Sequence, residues 1–295
     1  ETTATIRQKL KASDVEELPY IQGYLNAAGI SSYADIQKST DVSSVLNENA
    51  TVLNAERVLK VISDRVDAVN EYIGEETEIS MDFYVSINPQ TAITKDNIQL
   101  NCIDSLGNIV STDEYLLPTY ETMYQSGAEE LTATIEEISS TVEPMKNVDN
   151  WSNYNRIAAR DYARKWWGPY TSNYNPAYNN YVGKGGDCAN FVSQCVYAGG
   201  VPIHGGWSPD SVAWINAASL KNNMLQYGYA TKEDAWETNA GNFAYTTAGQ
   251  GHIVLVTLND TVTLAYTAHT TNCKDQPFTQ ANINGGYSFY IIKNF

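Results

Sequence analysis

The sequence predicts an α+β protein made of two domains, and three observations support that prediction. The chain has 295 residues, a length that suits about two domains of ordinary size. In the first half, apolar residues recur at a helical period and then change to the alternation of β-strands. All six tryptophans lie at or after Trp151, whereas most acidic residues precede it. We therefore predict a small acidic α+β accessory domain over residues 1–148 and a second domain over residues 149–295.

The first domain is predicted to contain helices followed by antiparallel strands. Short helical patterns occupy residues 4–29, broken at the glycines, and a longer helical pattern covers residues 46–73. Apolar and polar side chains then alternate over residues 79–87, which is typical of a half-buried strand. Residues 98–102 and 131–135 show a similar alternation and are predicted as two further strands.

Composition excludes several classes of protein. A net charge of −16 disfavours binding to a nucleic-acid backbone, and the sequence has no run of about eighteen apolar residues that could span a membrane. Four cysteines without a Cys-x-x-Cys pair exclude a disulfide scaffold and a zinc ribbon. The chain begins at Glu1 without methionine, so we expect that a leader was removed or trimmed, as in a secreted or cell-wall-associated bacterial protein.

The second domain contains a glycine-rich turn followed by a predicted helix with a cysteine in its first turn. Gly185, Gly186 and Asp187 precede Cys188, and an apolar stripe with a glycine stop follows. This pattern predicts a helix of about three turns with Asp187 as its cap. The helix dipole and free N–H groups favour a thiolate there, which makes Cys188 a candidate nucleophile. Cys188 also fits the apolar stripe, so a buried core cysteine stays open as an alternative.

A nucleophilic cysteine needs a base, and the sequence has three histidines. His252 begins a strongly apolar strand, and His269 follows the strand that returns from a turn at Asn259 and Asp260. Two adjacent antiparallel strands can place these histidines side by side, so that His269 orients His252 as the third member of a triad. His204 lies in a Gly/Pro-rich loop and is interpreted as an exposed residue.

Residues 154–295 resemble the "putative amidase domain" family of Gram-positive bacteria. The segment 185–194 carries most of the resemblance, and the segments that begin at His252 and His269 add to it. The family is similar to NlpC-type and CHAP-type cell-wall cysteine peptidases and amidases. The resemblance implies a papain-like fold, with N-terminal helices packed on an antiparallel sheet, and it implies Cys188 as nucleophile, His252 as base and His269 as the third catalytic residue.

The residues and the resemblance together predict a cysteine-dependent amidohydrolase that forms a thioester acyl-enzyme. The expected substrate is an amide of peptidoglycan or of a peptide, and no metal, organic cofactor or nucleic-acid partner is implied. The aromatic loop from Tyr170 to Tyr181 is expected to line the substrate groove. The predicted substrate-binding residues are Asp187, Tyr178, Tyr181, Trp207 and Trp214.

Two other functions stay open at this point. One is a wall-binding or surface-interaction protein whose papain-like domain is inactive. The acidic first half, which lacks histidine, favours that alternative, and so does Asn242, which stands where the family has aspartate. The other is a zinc site, although no closely spaced ligand pair exists. Its ligands would be Cys188, His252, His269 and Cys273. The remaining cysteines, Cys102 and Cys195, are interpreted as core residues.

Overall fold

The computed structural model of the protein describes residues 1–38, 52–87, 90, 94, 98–104, 106–140, 154–169 and 171–293. Its helices are Pro19–Ala27 (α1), Tyr33–Lys38 (α2), Val52–Asn70 (α3), Tyr120–Ser140 (α4), Arg156–Trp166 (α5), Cys188–Ala198 (α6), Val212–Ile215 (α7) and Ala217–Gln226 (α8). Its strands are Thr2–Lys9 (β1), Glu76–Ile87 (β2), Ile98–Ile103 (β3), Ile109–Ser111 (β4), Ala230–Glu233 (β5), Phe243–Thr246 (β6), His252–Asn259 (β7), Leu264–Ala268 (β8), Cys273–Pro277 (β9) and Ser288–Ile292 (β10). All strand pairs are antiparallel, and the α+β prediction is confirmed.

The first half forms a four-stranded sheet in the order β1-β2-β3-β4, with helices beside it. The strands predicted over residues 79–87 and 98–102 are confirmed as β2 and β3. Residues 2–9 were expected to be partly helical, but they form edge strand β1, which pairs with β2 along its whole length. The helix predicted over residues 46–73 is confirmed as α3 from Val52 to Asn70, and residues 46–51 lie outside the described part of the chain.

The strand predicted over residues 131–135 is wrong, because these residues lie in the middle of α4. Met123, Leu131 and Ile138 are the buried apolar residues of this segment, and their spacing of seven or eight is the repeat of a helix face. A stretch of five residues was too short to separate the two periods. Helix α1 likewise continues through Gly23, which was expected to break it. Glycine is needed there because α4 packs closely: a Cβ would lie 1.9 Å from a backbone oxygen of α4.

The second half forms a six-stranded sheet in the order β5-β10-β6-β7-β8-β9. Every residue of β7 is buried, because the strand is covered on both faces. Ile253 and Leu255 pack with Cys188 and α6 on one face, whereas Val254 and Val256 join a separate apolar cluster. Burial on both faces explains why the sequence of β7 is continuously apolar rather than alternating.

The two halves pack against each other. Tyr72, Ile79, Met81 and Cys102 of the first half share an apolar cluster with two residues of the second, Leu258 and Ala265. Arg65 of α3 is buried between the halves and donates hydrogen bonds to the backbone oxygen of Trp236 and to Oδ1 of Asn239, both at 2.5 Å. The predicted boundary near residue 150 lies outside the described residues. Within the described ranges, no helix is long and apolar enough to cross a membrane.

Candidate active site

Cys188, the candidate nucleophile, is the first residue of α6. The helix ends at Gly199 and Gly200 after three turns of chain, as the sequence predicted. The Cys188 sulfur lies within hydrogen-bonding reach of the backbone N–H of Ile253. Because Ile253 directly follows His252, the fold brings the candidate nucleophile to the start of the strand that carries the candidate base.

Burial raises the pKa of the Cys188 thiol, contrary to the expected preference for a thiolate. The residue is 8% exposed, and loss of hydration disfavours the charged form. The N–H groups of Ile253, Ala189 and Cys188 itself lower the thiol pKa, whereas the charge of Asp187 raises it. Desolvation is the largest of these effects, so the resting side chain is a neutral thiol at pH 7.

His252 begins β7, where it lies opposite Thr246 of β6. The residue is 6% exposed, and burial lowers its pKa to about 4. The imidazole is therefore neutral at pH 7. Its Nε2 is buried and has no hydrogen-bond partner among the described residues. A neutral ring with an unpartnered nitrogen is able to accept a proton, which is the property of a general base.

His269 pairs with Asp187 rather than with His252. Its Nδ1 lies 2.7 Å from Oδ2 of Asp187, and its Nε2 lies 2.6 Å from the backbone oxygen of Trp166. Both partners are acceptors, and a ring that donates from both nitrogens satisfies them, which would place a positive charge beside the carboxylate. With both nitrogens engaged, His269 does not accept a hydrogen bond from His252, and the predicted contact between the histidines is not formed.

Strand register explains why the two histidines do not meet. Leu255 of β7 lies opposite Thr267 of β8, and the next pair along the chain follows the same register. Continuing that register places Ile253, not His252, opposite His269. A difference of one residue turns a side chain to the other face of a sheet, so adjacency of the two strands is not sufficient for a contact.

Asp187 is fully buried, and its side chain does not cap the helix at whose start it lies. It occupies the N-cap position of α6, but its side chain makes no capping hydrogen bond. Instead, Oδ1 accepts hydrogen bonds from the Tyr181 N–H at 3.0 Å, Asn190 Nδ2 at 2.9 Å and the Tyr174 hydroxyl at 3.3 Å. In this structure these partners enclose the carboxylate, and its contact with a substrate stays a prediction.

Trp207 and Trp214 are core residues in this structure. Both are 0% exposed. The Trp207 indole N–H donates to Oγ of Ser193 at 3.1 Å, and the Trp214 indole N–H donates to Oδ1 of Asn190 at 2.9 Å. Since burial is complete and each indole N–H has an internal partner, both indoles are enclosed, and their contact with a substrate stays a prediction.

Tyr178 and Tyr181 lie on the loop that leads to Cys188, and both are partly exposed. The Tyr178 ring stacks on Trp214 with centroids 5.9 Å apart. The Tyr181 hydroxyl donates to Oδ1 of Asp210 at 2.6 Å. These are the two predicted aromatic residues that remain accessible to a ligand, and Tyr170 lies outside the described part of the chain.

Asn242 supports the sheet that carries His252. Its Oδ1 accepts a hydrogen bond from the N–H of Ile292 in β10 at 2.7 Å, and its Nδ2 donates to the backbone oxygen of Asn239 at 3.0 Å. Its own backbone oxygen accepts from the N–H of Val256 in β7 at 2.8 Å. An aspartate could accept from Ile292 but could not donate to Asn239, so the asparagine side chain adds a hydrogen bond within the turn that precedes β6.

The other histidine and the remaining cysteines lie in packed surroundings. His204 was interpreted as exposed, but it is half-buried against Tyr229, with ring centroids 4.1 Å apart. Cys102 and Cys195 are buried, so their interpretation as core residues is confirmed. His269 has no free ring nitrogen for a metal, which removes one ligand from the alternative zinc site.

One family model and two proteins of Bacillus subtilis match parts of this chain. Residues 153–292 match the family described as "Putative amidase domain". In Bacillus subtilis (strain 168), the "Uncharacterized protein YhbB" is 35% identical over 80 residues, which are 25% of this chain and 24% of that protein. The "Uncharacterized protein YjcM" of the same organism is 28% identical over 153 residues, which are 47% of this chain and 36% of that protein. The matched regions therefore cover well under half of either relative, and no solved structure matches.

The family match supports assignment of the second half to the amidase family. It suggests hydrolysis of amides without indicating which amide is cleaved or by which residues. Cys188, His252 and His269 all lie inside the matched residues. The Asp187–His269 pair was missed by sequence reasoning, because 82 positions separate the two residues. The only sequence signal was that each lies within a segment that carries the family resemblance.

Proposed function

We propose that the protein is a cysteine-dependent amidohydrolase in which Cys188 is the nucleophile and His252 is the base. One observation carries the proposal: the Cys188 sulfur lies within hydrogen-bonding reach of the N–H of Ile253, the residue that follows His252, and the buried His252 imidazole is neutral with an unpartnered nitrogen. A cysteine in the first turn of a helix that packs on a histidine-bearing sheet supports a papain-like interpretation of the fold. The family match supports an amide as the substrate.

The proposed reaction begins from two neutral groups. His252 takes the thiol proton while the Cys188 sulfur attacks the carbonyl carbon of the amide. The N–H of Cys188 donates to the developing oxyanion at the start of the helix. The C–N bond then breaks, and protonated His252 gives its proton to the leaving amine. A water molecule, deprotonated by His252, hydrolyses the thioester and restores the thiol.

The substrate must enter a site that is closed in this structure. Cys188 and His252 are both buried, so their surroundings have to shift before an amide reaches the sulfur. Gly183, Gly185 and Gly186 in the preceding loop all have positive φ, at 79°, 105° and 105°. Glycine alone adopts these angles without steric cost, so we place the required shift in this loop, which also carries Tyr178 and Tyr181.

We further propose peptidoglycan peptides as the substrate class and a secreted or wall-associated location. The support is the resemblance of the segment around Cys188 to cell-wall cysteine peptidases and amidases. The test is to incubate purified muropeptides with the wild type, Cys188→Ala and Cys195→Ala, and to read the product masses. We expect pairs of fragments whose masses sum to the substrate mass plus one water from the wild type and Cys195→Ala, and none from Cys188→Ala. Unchanged cleavage by Cys188→Ala would overturn the proposal.

A second candidate function is wall binding by an inactive papain-like domain. The raised thiol pKa and low exposure of Cys188 favour this candidate, because both oppose nucleophilic attack. Sedimentation with insoluble peptidoglycan, without any released product, would support binding over hydrolysis.

A further inference from the structure

We propose that the Asp187–His269 ion pair positions Cys188 by joining the end of α5 to the start of α6, and that neither residue transfers a proton in the reaction. The first part is a property of the fold. The second part rests on the proposed function, since it concerns which histidine serves the thiol. The two parts can therefore be tested separately.

Two contacts connect the start of α6 to the segment that follows β8. The side chains of Asp187 and His269 meet, and the backbone N–H of Asp187 also donates to Oγ1 of Thr270 at 3.0 Å. Gly186 permits this approach, because a Cβ at that position would lie 3.3 Å from the same Thr270 oxygen. The residue immediately before Cys188 is thereby fixed to the segment that follows β8.

The charges of the pair suit the two helix ends that they contact. The positive ring of His269 donates to the backbone oxygen of Trp166, the last residue of α5. Asp187 places a negative charge at the start of α6. Helix dipoles favour a cation at a C-terminus and an anion at an N-terminus. One ion pair therefore complements both helices and links them.

Aromatic rings exclude water from the pair. The His269 ring stacks on Phe191 with centroids 4.0 Å apart and lies 5.3 Å from the Tyr174 ring. Phe191 belongs to the first turn of α6 after Cys188. Within this enclosure each charge depends on the other, because a buried ion without its partner is strongly unfavourable.

The pair also controls the charge next to the sulfur. The negative charge of Asp187 raises the thiol pKa of Cys188. His269, which directly follows β8, offsets that charge. Tyr174 from the preceding loop and Asn190 from α6 contribute neutral groups. Removing His269 and removing Asp187 should therefore shift the thiol pKa of Cys188 in opposite directions. General destabilisation of the fold does not produce such opposite shifts.

The test measures the pH dependence of Cys188 labelling by iodoacetamide, mapped by peptide mass. The variants are Asp187→Asn, His269→Gln and the double variant. We expect Asp187→Asn to lower the labelling midpoint by about one pH unit and His269→Gln to raise it by a similar amount. The double variant should restore both the midpoint and the thermal stability. The reason is that the side-chain amide introduced at position 187 can donate to the amide introduced at position 269, which can itself donate to the Trp166 oxygen.

Asp275→Asn is the matched control. Asp275 is a buried carboxylate paired with Arg164 of α5 at 3.0 Å, so its loss should lower stability without moving the Cys188 midpoint. Shifts in the same direction in the two single variants, no shift in either, or a double variant no more stable than the single ones would overturn the positioning role. A double variant that is stable but has lost turnover at least a hundredfold would overturn the second part.

Labelling needs no substrate, so the result also separates this inference from the proposed function. If the wild type cleaves no amide but the midpoints shift as expected, the proposed function fails and the positioning role stands. If Cys188→Ala abolishes cleavage but the midpoints do not shift, the reverse conclusion holds.

Discussion

The start of β7 and the end of β8 each place a histidine in the interior, and the two surroundings are opposite in kind. His252 is desolvated, its Nε2 has no partner among the described residues, and its pKa is lowered to about 4. His269 donates from both ring nitrogens, faces a carboxylate and is stacked on Phe191. Buried polar groups are normally satisfied, so the unpartnered nitrogen distinguishes the surroundings of His252 from those of His269. The comparison supports the proposed division of roles, with His252 as the base and His269 as a structural residue.

The largest effect on stability is expected where the comparison predicts a structural role. Asp187→Ala leaves the charge of His269 buried without its partner, and such losses cost about 3–5 kcal/mol of unfolding free energy. Urea unfolding of Asp187→Ala beside the Asp187→Asn/His269→Gln double variant measures this effect. We expect the double variant to recover most of the loss. Equal stability of Asp187→Ala and the wild type would contradict the structural role.

Acidification tests the other side of the comparison. The folded pKa of His252, about 4, lies below its ordinary value of 6.5, so the unfolded chain binds the proton first as the pH falls. The His252 contribution is complete above pH 6.5 and decreases down to pH 4, by roughly 3 kcal/mol. The measurement is the difference in unfolding free energy between the wild type and His252→Asn across this range. A constant difference would show that His252 is not desolvated.

A buried carboxyl between the two halves should respond to pH with the opposite sign. Burial raises the pKa of Glu130 to about 7, with Tyr20, Arg65 and Glu237 as neighbours, and its Oε1 has no partner among the described residues. Its protonated form is favoured in the fold, so its contribution is present below pH 4.5 and decreases as the pH rises through 7. Glu130→Gln should flatten this decrease in thermal-unfolding scans between about pH 5 and 8. An unchanged dependence of the unfolding temperature on pH would contradict the raised pKa of Glu130.

The smallest effect concerns the aromatic residues near Cys188. Trp214→Phe removes the indole N–H and leaves Oδ1 of Asn190 without that donor, a loss of about 1–3 kcal/mol. We expect lower stability and an unchanged KM, because Trp214 is buried. Tyr178→Leu should instead raise KM if the loop contacts the substrate. A raised KM for Trp214→Phe at unchanged stability would restore the groove interpretation.

Local patterns predicted the elements that carry the candidate site. The glycine-rich turn and apolar stripe predicted α6, and the continuous apolar run after His252 predicted β7, because both signals depend on neighbouring residues alone. The same reasoning from neighbouring residues predicted a thiolate at Cys188, whereas burial raises the pKa of this thiol. A helix terminus is visible in a sequence, whereas the desolvation that outweighs it depends on how completely β7 and the neighbouring helices cover Cys188.

Features that depend on distant contacts could not be predicted. The Asp187–His269 pair follows from the β7–β8 register and from the approach of α5 to α6. The burial of Trp207 and Trp214 depends on Ser193 and Asn190, which face them from α6. Strand β1 has a weak pattern of its own, and its pairing with β2 determines its conformation. Because each of these features is fixed by a partner far away in the chain, spacing alone was not informative.

The most direct test of the central claim compares turnover of one amide substrate by two variants under identical conditions. His252→Asn removes the base but keeps a neutral polar side chain, whereas Asp187→Asn/His269→Gln removes the ion pair but keeps its hydrogen bonds. The account predicts that His252→Asn loses at least about a thousandfold in kcat, an effect within the range typical of removing a general base, while the double variant stays within about tenfold of the wild type. A double variant without activity beside an active His252→Asn would contradict the account and assign the chemistry to His269.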